Sequence, residues 1–249
     1  MLYAYCDAEA FSLLVVIPPA LSGRLGAALS ALIVVLCAVA LTLHKDFYAG
    51  VKRRDFLVYF TNLSCILVLV YFALLAPRLY GAAALRFLIP HAEFFVTANI
   101  MLTCIVFHTM LMPGLIGKLQ SFCRQDAAML LANNLLIHYA VPLLTLAYWL
   151  LCAPGKQTLG AADAVIWMLF PAVYALWILR RSSHPRRKAG SERAECPYPF
   201  LDVRAFGKRR VALSCAAIFA TGSTAAILTL TAVWGLFHLF GAGHILFLI

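Results

Sequence analysis

Residues 56–76 read FLVYFTNLSCILVLVYFALLA, a stretch of 21 residues that contains no Asp, Glu, Lys, Arg, Gly or Pro. A helix rises about 1.5 Å per residue, so about 20 apolar residues are enough to cross the hydrocarbon core of a bilayer. A strand of a membrane β-barrel would instead show short segments of alternating hydrophobicity. Residues 56–76 therefore predict a transmembrane helix.

Five further stretches have the same character, at 25–43, 94–116, 128–152, 160–179 and from 211 onward. The last stretch is too long for one perpendicular span, so we expect the tail after Phe240 to bend or to lie along the membrane surface. No internal repeat is evident. The sequence thus predicts an all-α polytopic membrane protein, a bundle of about six transmembrane helices forming a single domain at 25–249, after an N-terminal lead-in at 1–24.

The composition of the whole chain excludes other classes of protein. Among the 249 residues, 64% are hydrophobic and 12% are charged, and the mean hydropathy is +0.91. An average soluble domain is about 45–50% apolar and about 25% charged. A soluble domain of this size could not bury so much apolar surface, and disordered chains are poor in apolar residues.

The basic residues are concentrated in three of the predicted loops. The chain has 20 Lys and Arg against 10 Asp and Glu, and the loops 44–55, 117–127 and 180–210 hold 16 of the 20. The positive-inside rule therefore places these loops in the cytoplasm and both termini outside. We expect the basic loop at 180–210 to contact anionic lipid headgroups, and we expect no nucleic acid partner.

Motifs for metals and for soluble enzymes are missing from the sequence. The eight cysteines form no CxxC pair, so neither a disulfide framework nor a zinc site is supported. There is no GxSxG, HExxH or Walker motif. No metal and no other cofactor is expected.

The polar residues near the spans divide into charged and neutral groups. Asp55, Glu93 and Asp163 are expected at span edges, where water and headgroups solvate them. A set of buried carboxylates would indicate a proton or cation pump, so their absence argues against an ion-coupled transporter. Any site within the membrane must then use neutral polar side chains.

The fourth predicted span carries four such side chains on one face. Asn134, His138, Thr145 and Trp149 return to nearly the same direction at about 100° per residue. Because an imidazole in hydrocarbon needs partners, His138 marks a functional site. Asn134, one turn away, could hold the imidazole or donate a hydrogen bond to an oxyanion.

Hydroxyl and imidazole groups also occur in the second and third spans. The second span contains Thr61, Asn62 and Ser64, and the third contains Thr97 and His108, eleven residues apart and predicted to share a face. Such residues commonly join transmembrane helices through hydrogen bonds of about 1 kcal/mol. The spacing alone therefore predicts only a polar-lined cavity within the bundle.

Several short motifs occur in a particular order: Phe60-Thr61-Asn62-Leu63-Ser64, Asn134-x-x-x-His138-x-x-x-Pro142, Trp167-x-x-x-Pro171-x-x-Tyr174, Tyr198-Pro199-Phe200-Leu201-Asp202 and Gly207. In this order the chain resembles the bacterial Pr-six-Pr integral membrane family over roughly residues 25–235. That family is similar to the androgen-induced protein and androgen-dependent TFPI-regulating protein family. These eukaryotic relatives are intramembrane threonine hydrolases that cleave fatty acid esters of hydroxy fatty acids.

The resemblance implies that Thr61 is a nucleophile and His138 its general base, acting on fatty acyl esters that enter from the membrane lipids. A threonine hydroxyl needs a base to take its proton, and a neutral imidazole in an apolar site is such a base. The chain departs from the family pattern at Tyr148, where an acidic residue is expected. The candidate substrate-binding or supporting residues are Asn62, Ser64, Asn134, His108, Thr145 and Trp149.

Two other functions remain open. The chain could be a transporter or channel for a small solute, with His108 and His138 along the route, and helices interrupted by Gly or Pro would favour this hypothesis. It could also be a non-catalytic membrane scaffold that binds a partner through the basic loop at 180–210.

Overall fold

The computed structural model describes residues 19–47, 53–81, 83–119, 124–183 and 196–245, and within these ranges it contains helices and short connections but no strand. Six helices are long and apolar enough to cross a membrane. The prediction of an all-α polytopic bundle is therefore confirmed. We label the helices α1 (Pro19–Phe47), α2 (60–81), α3 (83–119), α4 (124–152), α5 (161–183) and α6 (Val203–Ile245).

Some of the predicted segments lie partly outside the described residues. These are residues 1–18 of the predicted lead-in and residues 184–195 of the basic loop, and the side chain of Asp55 is also not described. Helix α1 begins at Pro19, inside the predicted lead-in. Helix α6 remains helical through Gly241 as far as Ile245.

The helices do not begin where the apolar runs begin, and α2 and α6 show two different reasons. Residues Arg53–Val58 form a 3-10 turn, and α2 begins only at Phe60. Helix α6 begins at Val203, eight residues before the predicted span, because Asp202 caps it. The Asp202 carboxylate accepts hydrogen bonds from the backbone N–H groups of Arg204 (2.9 Å) and Ala205 (3.2 Å). The first turns of α6 are charged, so the apolar run begins only at Val211 and does not reveal where the helix starts.

Prolines shape the middle of three helices. Helices α2, α3 and α4 each contain a π-turn, at Tyr71–Leu75, Phe107–Leu111 and Leu136–Ala140. Each π-turn ends two residues before a proline: Pro77, Pro113 and Pro142. A proline has no N–H to donate and clashes with the carbonyl four residues earlier, so the helix widens at that place.

A fourth proline breaks α5. Pro171 follows a turn at 167–168 that separates the helical segments Ala161–Ile166 and Leu169–Ser183. The carbonyl of Trp167, four residues before Pro171, instead accepts a hydrogen bond from Asn99 Nδ2 of α3 (3.4 Å). The proline thus frees a carbonyl that joins α5 to α3.

The helices pack in two groups that share α3. Helix α4 packs against α1 and α3, and α2 packs against α1 and α3. Helix α6 contacts α5 and α3 from the other side. Large apolar side chains such as Val35, Leu176 and Leu228 stay exposed on the outer surface, as expected for residues that face lipid.

The close approach of α6 to α5 gives a first prediction. A methyl group at Gly222 would lie 2.8 Å from Cη2 of the buried Trp167 ring. We expect Gly222→Ala to destabilise the bundle by about 1–3 kcal/mol, because the ring sits at the helix break and has no room to move. The measurement is the thermal unfolding midpoint in detergent. In the control Gly235→Ala the new methyl meets no atom within 4 Å, and equal midpoints for the two variants would contradict the packing.

Candidate functional site

A largely apolar cavity of about 60 Å³ lies between α2, α3, α5, α6 and the segment that precedes α6. We call it the Thr61 cavity. Its lining residues are mostly aromatic and aliphatic, and they include Thr61, Thr103, Tyr174 and Tyr198. Walls of this character are typical of a site for an apolar group.

The Thr61 hydroxyl differs from that of Thr103, which lines the same cavity. Thr103 Oγ1 donates to the carbonyl of Ile100 (2.7 Å), in its own helix. Hydroxyls in transmembrane helices usually form such a bond to a carbonyl three or four residues earlier. Thr61 lies in the first turn of α2, which begins at Phe60, so no carbonyl of α2 is in that position.

The partner of Thr61 is Tyr198, from the segment before α6. The buried Tyr198 phenol interacts with the Thr61 side chain and with the backbone N–H groups of Phe60 and Thr61. These are among the first N–H groups of α2, which have no acceptor within the helix. Burial raises the pKa of Tyr198, and these contacts lower it only in part. The phenol is therefore neutral at neutral pH and can donate a hydrogen bond.

Tyr174 of α5 supports this arrangement. Its hydroxyl donates to the carbonyl of Val58, in the turn before α2 (2.7 Å). Its ring lies 5.1 Å from the Phe60 ring and 6.3 Å from the Tyr198 ring. Tyr174 and Tyr198 thus hold α5 and the segment before α6 against the start of α2. Neither tyrosine is among the predicted site residues, although both occur in the motifs that carry the resemblance.

His138 is buried but is not among the residues that line the Thr61 cavity. It lies in the π-turn of α4, and that turn packs against α2. The imidazole stacks on the Phe107 ring, with 3.9 Å between centroids and an interplanar angle of 7°. Phe107 follows Val106, which does line the cavity.

The predicted supporting residues of α2 and α4 are buried, and three of them bond to their own part of the chain. Asn62 Nδ2 donates to the carbonyl of Phe56 (2.7 Å), and Asn134 Nδ2 donates to the carbonyl of Leu130 (2.8 Å). The Asn134 amide nitrogen is thus directed along α4 and not toward His138. Thr145 Oγ1 donates to the carbonyl of Val141 (2.8 Å). The remaining members of this group are also buried: Ser64 and Trp149.

His108 lies apart from the Thr61 cavity. It is exposed, and its Nδ1 lies 2.8 Å from the Tyr139 hydroxyl of α4. Thr97, predicted to share its face, is buried. His108 and Thr97 therefore differ in burial although they are predicted to share a face of α3. Periodicity predicts which face a residue is on, but neighbouring helices cover that face at one depth and leave it exposed at another.

The prediction that Glu93 and Asp163 are solvated at span edges is wrong. Glu93 is 2% exposed, and its Oε1 accepts a hydrogen bond from the Tyr148 hydroxyl (3.1 Å). Asp163 is buried and its Oδ1 lies 2.6 Å from His91 Nδ1. Packing of α3 against α4 covers the Glu93 carboxylate, so the argument against ion-coupled transport from a lack of buried carboxylates no longer holds. The same packing of α3 against α4 places the Glu93 carboxylate beside Tyr148, the position at which the resemblance implies an acidic residue.

Lys156 lies just after the C-terminal end of α4, the end that also carries Tyr148. Gly155 adopts a left-handed backbone (φ 70°) that turns the chain back after the helix. The buried Lys156 Nζ then donates to the last carbonyls of α4, those of Trp149 (2.8 Å) and Leu150 (3.0 Å). Burial lowers the pKa of Lys156 to about 8, although Glu93 raises it in part. Neither Lys156 nor Glu93 lines the Thr61 cavity.

No protein-family model, curated protein or solved structure matches this chain in the comparisons made with it. Within the described part of the chain, no group of three His, Cys, Asp or Glu residues could hold a metal ion. The function therefore has to be argued from the Thr61 cavity itself, in which a hydroxyl and a phenol meet at the N-terminus of a helix.

Proposed function

We propose that the protein is an intramembrane lipid-ester hydrolase that uses Thr61 as its nucleophile. The observation that carries the proposal is the Thr61 hydroxyl, which lies with Tyr198 at the wall of an apolar cavity. An ester carbonyl is a group that an activated hydroxyl attacks, and apolar walls suit an acyl chain. The resemblance to the Pr-six-Pr family supports the same reaction.

The reaction proceeds through an acyl-threonine. Thr61 Oγ attacks the ester carbonyl carbon while its proton passes to the imidazole of His138, which we assign as base because its π-turn packs against α2. The ester C–O bond then breaks, and the imidazolium returns the proton to the leaving alkoxide. Water attacks the threonine ester in the second half, which releases the fatty acid and restores the hydroxyl.

The start of α2 supplies the groups that stabilise the intermediate. The former carbonyl oxygen carries a negative charge after the attack, and donors aimed at that charge lower the barrier. The neutral phenol of Tyr198 lies at this place, where its oxygen accepts from the N–H groups of Phe60 and Thr61 and its O–H can donate to the oxyanion. The positive end of the helix dipole adds to their effect.

The substrate enters from the bilayer. The Thr61 cavity lies at the end of the bundle where α2 and α6 begin, near the basic residues before and within the first turns of α6. The positive-inside pattern assigns this end to the cytoplasmic side of a bacterial inner membrane. Membrane lipids that carry acyl esters in that leaflet are the substrates we expect.

Replacement of the nucleophile is the first test of this function. Thr61→Ala should lower kcat for a long-chain acyl ester in proteoliposomes by at least about 1000-fold, because no other group takes its role. Thr103→Ala is the matched control, since Thr103 lines the same cavity but its hydroxyl is bound to the carbonyl of Ile100. Full activity in Thr61→Ala would remove the assignment.

The phenol of Tyr198 can be tested separately. Tyr198→Phe should lower kcat by about 100- to 1000-fold with little change in KM, because a donor to the oxyanion is lost while the ring stays. Tyr139→Phe, which removes the hydroxyl beside the exposed His108, should leave kcat unchanged. Equal kcat values in Tyr198→Phe and Tyr139→Phe would show that the Tyr198 hydroxyl does not stabilise the oxyanion.

The assignment of the base depends on a comparison of two histidines. His138→Gln should lower kcat by about 100- to 10,000-fold, the usual contribution of a general base, whereas His108→Gln should have no effect. The rate should be measured from pH 5 to 9 in both variants. The change in rate that an imidazole base causes over this range should disappear in His138→Gln and remain in His108→Gln. If His138→Gln instead alters solute flux through liposomes and no ester is cleaved, the transporter hypothesis would be favoured.

A further inference from the structure

A second cavity, of about 620 Å³, adjoins the Thr61 cavity between α3 and α6. Leu111 and Phe200 belong to the walls of both cavities. The second cavity extends from them to Thr109 of α3 and to Arg210 and Ser214 of α6. The two cavities are thus neighbours along α3 and α6, and together we call them the α3–α6 path.

The outer part of the α3–α6 path carries one charged side chain, that of Arg210. Arg210 is exposed, and among the described residues it forms no ion pair with a carboxylate. The nearest acidic residue in the sequence, Asp202, uses its carboxylate to cap α6. Within the described part of the chain no carboxylate neutralises this guanidinium, which can bind an anion from outside the chain.

The position of Arg210 matches the polar end of a membrane lipid. It lies in the first turns of α6, beside Lys208 and Arg209, where a long basic side chain reaches the headgroup region while its stem stays in an apolar surrounding. A guanidinium binds phosphate through two parallel hydrogen bonds. The walls inward of Arg210 are apolar and suit an acyl chain.

We infer that the ester cleaved at Thr61 belongs to an anionic glycerophospholipid of the surrounding leaflet, and that Arg210 binds its phosphate while one acyl chain lies along the apolar walls of the α3–α6 path. In such a lipid the ester and the phosphate are joined by a glycerol unit. The cavity that Arg210 lines and the cavity that Thr61 lines likewise share the wall of Leu111 and Phe200. This inference rests on the proposed function and adds the substrate class and a specificity residue.

Photocrosslinking in phosphatidylcholine nanodiscs tests the inference without catalysis. The protein carries Thr61→Ala, so that the probe is not cleaved. Two probes with identical diazirine-bearing chains are compared, one with a phosphatidylglycerol and one with a phosphatidylcholine headgroup. We expect the phosphatidylglycerol probe to label peptides of α3 and α6 about tenfold more strongly, since a charge-assisted pair with arginine contributes to its binding.

Neighbouring arginines provide the matched control. Arg210→Gln should abolish the preference for the phosphatidylglycerol probe, Arg210→Lys should keep part of it, and Arg209→Gln should keep it, because Arg209 does not line the path. Equal labelling by both probes in the Thr61→Ala protein would overturn the inference. The same loss in Arg209→Gln as in Arg210→Gln would also overturn it, because attraction to the basic surface alone would then explain the preference.

Two further arms separate the sources of the anion. Soluble glycerol phosphate should not compete with the phosphatidylglycerol probe, and a diazirine fatty acid should label the path less than that probe does. Competition by glycerol phosphate, or stronger labelling by the fatty acid, would overturn the assignment of a phospholipid. A protein that prefers phosphatidylglycerol through Arg210 but cleaves no ester refutes only the proposed function. Ester cleavage at Thr61 without this preference refutes only the inference.

Discussion

The start of α2 at Phe60 is the constraint on which the candidate site depends. A hydroxyl within a transmembrane bundle has no water to bond to, so it needs a partner from the protein. Several of the described hydroxyls use their own helix, as Ser30, Thr42 and Thr109 do with the carbonyl four residues earlier. Thr61 lies too close to the beginning of α2 for this bond, and Tyr198 meets it instead. One helix boundary thus brings together a hydroxyl, a phenol and the first N–H groups of α2.

Prolines place the other elements around this boundary. Pro171 frees the carbonyl of Trp167 for Asn99, and the segment after the break carries Tyr174 to the turn before α2. Pro142 follows the π-turn that holds His138, and a π-turn is a frequent feature of functional sites. In this account the prolines fix where the helices bend, and the bends leave the space that becomes the Thr61 cavity.

Much of the fold, and part of the site, could be predicted from the sequence. The apolar runs are long enough to predict six spans, and the four polar residues on one face of α4, from Asn134 to Trp149, are all buried. The start of α6 was missed because Asp202 caps a helix whose first turns are charged. Glu93 was misjudged because its place near the edge of an apolar run does not reveal that Tyr148 covers it. The contact between Thr61 and Tyr198 joins distant parts of the chain, and no periodicity predicts such a contact.

The most direct test of the account is to map the site of covalent modification by a long-chain fluorophosphonate in lipid bilayers. The reagent imitates the tetrahedral intermediate of ester cleavage and reacts with an activated hydroxyl. Mass analysis of the digested protein should find the phosphonate on Thr61. A phosphonate on Ser64 or on another residue, or a folded protein that does not react, would contradict the account.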